Sequence, residues 1–281
     1  MASYECILID NPLPSVRRVT LNRPEKRNAL NNQLRTEILQ ALEEADRDPD
    51  VRVSILRGAG KCFSAGYDLG SDNSKNQPYY SADGAGQWAR HVIEGSFRIW
   101  DLGKPVIAQV HGYCLAGGSE LATACDLVYV AEDAQIGYPP VRLMSPPDMQ
   151  FHPWLMGMRD AMEMMLTGDG ISGIQAAAKG FANRAYPAAE LEQRVLEIAE
   201  RVSKIPTELQ QINKRSVHRA MEIKGLRAAI RAGTELQALA FTTKSTRDYL
   251  KEFSKGVRQA LSLRDKSFGD YREGEKEKQK D

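Results

Sequence analysis

His111-Gly112-Tyr113-Cys114-Leu115-Ala116-Gly117-Gly118-Ser119-Glu120-Leu121-Ala122 is the stretch that decides the fold. An apolar run, Pro105 to Val110, precedes it and reads as a buried strand; a helix begins near Gly117. Glycines at such a turn let the backbone approach a ligand closely. The first N–H groups of a helix have no intrahelical partner and are free to meet negative charge. Glu120 falls in the first helical turn. Donors for a developing oxyanion beside a carboxylate are what enolate chemistry on a carbonyl compound needs. A structural reading stands beside this one: Gly-Gly turns commonly precede helices, and the helix dipole alone favours a Glu there.

The totals narrow the field. The chain has 281 residues, 42% apolar and 27% charged, enough for one large domain with a substantial core. A net charge of +1 recommends neither nucleic acid nor an anionic membrane as partner. Cys6, Cys62, Cys114 and Cys125 are scattered without a CxxC pair, the pattern of small buried residues in a reducing compartment. No apolar segment reaches bilayer length and no secretory leader is evident, so a cytoplasmic protein is expected. His91, His111 and His218 lack partners at nucleophilic or metal-ligand spacing, and no Gly-x-Ser-x-Gly elbow, His-Glu-x-x-His pair or P-loop occurs.

Working outward, Cys6 to Ile9 and Val16 to Leu21 read as strands separated by Asn11-Pro12-Leu13-Pro14. Leu34, Ile38, Leu42 and Ala45 recur at helical spacing within Leu30 to Ala45, and Asp48-Pro49-Asp50 ends that helix. Val51 to Leu56 is a strand, Gln87 to Leu102 a helix, Leu127 to Ala131 a strand. Gly70 to Gly86, rich in Ser, Asn, Asp and Gly, reads as a mobile surface segment and a candidate lid. Alternating strands and helices predict an α/β fold with a largely parallel sheet. Helices dominate after Pro153, and from Pro206 to about Leu263 no strand-like run remains. This places a boundary between residues 1–205 and a helical region, 206–281, with a charged tail from Arg272 expected to fray.

Three motifs then stand in order: Asn22-Arg23-Pro24 closed by Asn28-Ala29-Leu30, Phe63-Ser64-Ala65-Gly66-Tyr67-Asp68-Leu69, and Gly117-Gly118-Ser119-Glu120. Together they resemble the enoyl-CoA hydratase/isomerase (crotonase) superfamily from about Val19 to at least Tyr186. The resemblance implies a spiral of ββα turns followed by a helical C-terminal region that forms trimers, often hexamers. It implies an acyl-CoA thioester as substrate, with no metal or redox cofactor beyond the coenzyme A of the substrate. By motif match, the oxyanion hole falls on the backbone N–H groups of Tyr67 and Gly117, each worth about 3 kcal/mol of barrier. Only the backbone of Tyr67 is expected to take part. The bend through Ser64, Ala65, Asp68 and Leu69 would line the adenine pocket. Arg23, Lys26 and Arg27 are expected near the CoA phosphates or, equally, as solvated surface charge.

Glu120 matches the first catalytic glutamate of the hydratases. The second follows a Gly-x-Pro turn in the family; here the turn reads Ile136-Gly137-Tyr138-Pro139 and the next residue is Pro140. Asp148 is the nearest carboxylate beyond it, either a substitute catalytic group or a turn former after Pro146-Pro147. Tyr138 and His152 are weaker candidates. Met144, Met149, Phe151, Trp154, Met156 and Met158 suit either an adaptable acyl pocket for a branched or cyclic group, or ordinary packing. Enoyl-CoA hydration is the expected activity. Double-bond isomerisation, C–C bond hydrolysis through Asp148 and a catalytically silent acyl-CoA binder are its alternatives.

Overall fold

The computed structural model describes residues 4–72, 75–84 and 86–269; the tail from Arg272 lies outside them. In chain order come β1 (Ile7–Leu13), β2 (Val16–Leu21), α1 (Asn32–Arg47), β3 (Val53–Gly58), α2 (Gln87–Trp100), β4 (Val106–Val110), β5 (Tyr113–Leu115), α3 (Gly117–Thr123), β6 (Leu127–Ala131) and β7 (Gln135–Gly137). They are followed by α4 (His152–Met156), α5 (Met158–Thr167), β8 (Ile171–Ser172), α6 (Gly173–Lys179), β9 (Arg184–Tyr186) and α7 (Leu191–Ser203). The last described elements are α8 (Thr207–Ile223), α9 (Leu226–Ala240), α10 (Lys244–Glu252) and α11 (Val257–Asp265).

Six strands form one sheet in the order β1-β2-β3-β4-β6-β9, and β5-β7-β8 form a second, smaller sheet. The β1–β2 pair is antiparallel; every other pair in the large sheet is parallel. Strand β4 sits in the middle and all five of its residues are buried, as expected of a parallel strand covered on both faces. Strand β1 runs through Asn11-Pro12 instead of stopping at Ile9, with an irregularity between Asp10 and Leu13. It lies at the sheet edge, where a proline leaves no ladder bond unmade.

Helix α1 starts where Asn31 caps the Leu34 N–H at 2.9 Å and buries Leu34, Ile38 and Leu42 against the sheet. Its buried Glu37 is not a lone charge: the carboxylate accepts the Glu5 and Cys6 N–H groups at 3.0 and 2.7 Å. The candidate lid is described except for residues 73, 74 and 85, and its described part is docked on α2. The Tyr79 ring stacks on His91 at 4.2 Å, and Ser81 Oγ lies 3.1 Å from His91 Nδ1.

The extended segment 63–68 positions the site. Phe63 and Ser64 N–H groups donate to His111 and Tyr113, and Leu115 donates back to Ser64. On its other edge Leu30 N–H donates to Gly66, and Asp68 N–H to Leu30. The segment is therefore stitched between the β2–α1 loop and β5. Asn28 locks this loop from the inside. It is fully buried at φ 52°; its amide donates to Ala59 and Cys62 carbonyls at 2.9 and 2.8 Å and accepts the Arg23 N–H at 2.9 Å. Asn28→Ala leaves these three groups unpaired in a left-handed conformation that alanine tolerates poorly. A loss of about 2–4 kcal/mol is expected, seen as a lower urea midpoint at unchanged slope. An unaltered midpoint would show that water replaces the amide without loss.

Candidate active site

The turn from β5 into α3 sets the geometry. Ala116 stands at φ 51°, ψ −124°, a conformation unusual for a residue with a side chain, and it directs the chain into a helix whose seven residues are all buried. A Cβ at Gly66 would lie 2.9 Å from the Ala116 methyl and 3.4 Å from the Gly117 nitrogen, so segment 63–68 passes directly against this turn. Tyr67 and Gly117 N–H donate to no main-chain carbonyl among the described residues. At Tyr67 the reason is visible: its neighbours Gly66 and Asp68 make the bonds to Leu30, which turns the Tyr67 N–H to the opposite side.

The side chain of Tyr67 also enters the site, beyond the backbone role expected from sequence. Its ring covers Gly117 so closely that a Cβ there would sit 2.6 Å from it. Its hydroxyl donates to Glu120 Oε2 at 2.9 Å, while Met149 N–H donates to Oε1 at 3.1 Å. Glu120 is 1% exposed. Burial raises its pKa from 4.5 to about 7, against the opposing bonds from Met149, Tyr67, Asp148 N–H and the Tyr138 phenol. Tyr138 is thus a buried member of the site.

Asp148 joins the same cluster. It is 3% exposed and its Oδ1 has no hydrogen-bond partner. Burial, then the charge of Glu120, pushes its carboxyl well above the usual range, opposed by Arg35 and by a bond from Trp88. Burial and the same two carboxylates keep the phenols of Tyr67 and Tyr138 protonated. Burial thus favours the protonated form of Asp148 beside two phenol donors and a Glu120 whose pKa is raised to about 7, an arrangement that suits acid–base chemistry. Trp88 was not foreseen. Its ring meets Tyr67 edge-on at 5.2 Å, with the Arg35 guanidinium 5.1 Å from its centre.

A narrow cavity of about 40 Å³ opens beside Tyr67 and Gly117, walled by the loop before α1 through Leu30 and by α1, α2 and α3 through Ile38, Val92 and Leu121. None of the methionine-rich residues between 144 and 158 lines it: Met149 and Phe151 are core, and Met158 is 65% exposed. That group packs or faces outward, because the loop holding it approaches Glu120 with main-chain N–H groups.

Other expected ligand contacts fall differently. Ser64 is fully buried; its hydroxyl donates to the Asn28 carbonyl and accepts the Gly66 N–H. Arg23 and Asp68 pair with each other at 2.9 Å. Lys26, Arg27 and Leu69 are exposed and Ala65 is half-buried. His152 is buried, with its pKa lowered to about 4 by burial, and lies 2.9 Å from Gln150 Oε1. Among the described residues no group of His, Cys, Asp and Glu could hold a metal ion, and no helix is long and apolar enough to cross a membrane.

The fold is the mixed α/β fold of the crotonase type. A model of the enoyl-CoA hydratase/isomerase family matches residues 13–268, and the chain belongs to that family. It is 35% identical over 232 residues to EchA13 of Mycobacterium tuberculosis, designated an enoyl-CoA hydratase, covering 75% of this chain and 73% of that one. It is 36% identical over 213 residues to the peroxisomal Delta(3,5)-Delta(2,4)-dienoyl-CoA isomerase of Arabidopsis thaliana, covering 71% and 77%. An enoyl-CoA hydratase/isomerase structure from Xanthobacter autotrophicus Py2 superposes with a TM-score of 0.85 at 33% identity, over 94% of this chain and 99% of that one.

The raised pKa of Glu120 has a consequence for stability. Between about 4.5 and about 7 the folded state holds a proton that the unfolded state has released, so stability falls as pH rises through that window. Glu120→Gln removes the charge and keeps the shape. It is expected to stabilise the protein by on the order of 2–3 kcal/mol at pH 8 and little at pH 4. Thermal unfolding at the two pH values checks this; an equal shift at both would contradict it.

Proposed function

We propose that this protein processes acyl-CoA thioesters by proton transfer at the α-carbon, and that its reaction is the hydration of an enoyl-CoA. The observation that carries the reading is the pairing of two buried carboxylates, Glu120 and Asp148, in one cluster beside two free backbone donors. The N–H groups of Tyr67 and Gly117 hold the thioester oxygen as the enolate forms. Ionised Glu120 takes a proton from the attacking water, and neutral Asp148 gives one to the α-carbon. Asp148 thus fills the role of the second glutamate, which Pro140 cannot supply. Lys26 and Arg27, on the exposed loop before Asn28, meet the CoA phosphates, while the Arg23–Asp68 pair stiffens the bend. No cofactor is needed besides the CoA of the substrate. The region beyond residue 205 joins subunits into a trimer or hexamer, a role that its exposed Ile212, Val217, Leu236 and Leu239 would suit.

Double-bond isomerisation is the second reading. Both oxygens of Glu120 already accept hydrogen bonds from the protein. A pair of carboxylates that relays a proton between two carbons fits such a site, and a relative at 36% identity carries an isomerase name.

Mass spectrometry after incubating an enoyl- and cyclic acyl-CoA panel with the protein in deuterated water separates these readings. Gain of one water on an intact thioester is expected. Deuterium uptake without water would establish isomerisation or simple enolisation, and a ring-opened product would establish C–C hydrolysis. Binding with no change would make the protein a silent binder. Glu120→Ala should abolish turnover, and Asp148→Asn should lower it by about 10²–10⁴-fold, both with CoA-ester binding retained. Undiminished turnover in the Glu120 variant would end the mechanism.

A further inference from the structure

Arg35 is out of character with its surroundings. It lines the same cavity as Tyr67 and Gly117, the one charged side chain among lining residues that are mostly apolar, with Ser96 and the Tyr67 phenol as the other polar ones. Arg23, in the loop before α1, is paired with Asp68; Arg35 has no carboxylate within ion-pair distance among the described residues. One Nη donates to the Asn32 side chain at 2.9 Å, and the guanidinium lies over the Trp88 ring. A half-buried guanidinium facing apolar side chains is unfavourable unless something compensates its charge. The nearby carboxyl of Asp148 does so poorly, since burial favours its neutral form.

Trp88 ties these groups together. Its face carries Arg35, its edge meets the Tyr67 ring, and it donates to Asp148, whose Oδ1 is left unpartnered in the interior. A cation held over Trp88 and a buried polar atom without a partner thus stand beside the cavity at Tyr67 and Gly117. Arginine presents a planar fork that suits two oxygens at once.

We infer that Arg35 determines substrate specificity by binding a carboxylate on the acyl group, so that the preferred thioester is a dicarboxylic acid monoester of CoA and not a plain hydrocarbon acyl-CoA. The inference rests on the acyl-CoA reading of the site. An anionic oxygen could also come from a CoA phosphate, and the choice of ligands separates the two sources.

Isothermal titration of wild type and Arg35→Met with glutaryl-CoA, pentanoyl-CoA and free CoA tests it. The two thioesters share chain length and differ in the terminal carboxylate. Wild type should prefer glutaryl-CoA by about ten- to hundredfold, the range for hydrogen bonds to a charged group. In Arg35→Met the ratio should collapse to near one, and Arg35→Lys should keep part of it. Equal binding of both thioesters by wild type overturns the inference and leaves the acyl-CoA reading standing. Parallel weakening of all three ligands in Arg35→Met overturns it in favour of a CoA-phosphate contact. If no thioester binds wild type, the acyl-CoA reading itself fails and takes the inference with it. Circular dichroism of each variant guards against a folding defect.

Discussion

A carboxylate in a protein core ionises only where donors take the place of water, and Glu120 is 1% exposed on a fully buried helix. Its neighbourhood answers that constraint. Tyr67 brings a hydroxyl to one oxygen, the 138–149 loop brings the Met149 N–H to the other, and Tyr138 adds a second phenol. The carboxylate and its donors come from three separate parts of the chain, so their arrangement requires segment 63–68, α3 and the loop after β7 to hold their mutual positions. The main-chain bonds around Ser64 and Leu30 fix the first two. Too few donors would leave Glu120 a permanent acid, and too many would make it an inert anion; the balance at about 7 lets it exchange protons near neutrality.

The third part is fixed from the far end of the chain. Arg142, with its side chain 1% exposed, donates to the Thr167 carbonyl at 3.0 Å and pairs with Asp265 at 3.2 Å and Asp169 at 2.9 Å. Thr246 of α10 donates to the Met144 carbonyl at 2.8 Å. Both contacts grip the loop just before Asp148. A buried ion pair adds little net stability against well-packed apolar groups, but separating Arg142 from Asp265 would leave a buried charge uncompensated. The C-terminal helices therefore act on the site through register: they fix where Asp148 and the Met149 N–H stand relative to Glu120.

How much of this was legible in sequence depends on how far apart the interacting residues lie. The apolar run of β4, the Gly117-Gly118 turn and the 3.6-residue spacing of α1 are local signals, and the corresponding elements stand within two residues of expectation. Asp148 could be named because one carboxylate was missing and the next was eight residues away. Whether it met Glu120 depended on a loop whose course prolines permit but do not dictate. Trp88 and Arg35 carried no signal at all, since each looks like an ordinary helix residue until α1 and α2 converge on the cavity. Composition left the methionine-rich run open between pocket and packing; none of it lines the cavity beside Tyr67, and the loop presents its backbone to Glu120. Arg23 and Asp68 each resembled a ligand contact separately, and only their 2.9 Å pairing shows that they answer each other.

The backbone at Ala116 shows the same physics from the side of strain. A non-glycine residue at φ 51°, ψ −124° costs on the order of 1–3 kcal/mol, and it persists only where the surroundings leave no alternative. Here Ala116 N–H donates to the Gly137 carbonyl, while its own carbonyl accepts the Ser119 and Glu120 N–H groups. Both of its polar groups are held, one by the small sheet and the other by the first turn of α3. Relaxing the dihedral would break one set or the other. Because the same residue sets the direction of the next peptide, the strain is coupled to the orientation of the Gly117 N–H. Four residues along, Glu120 is committed to the interior. The stability given up at one backbone position thus fixes both the oxyanion donor and the carboxylate that works beside it.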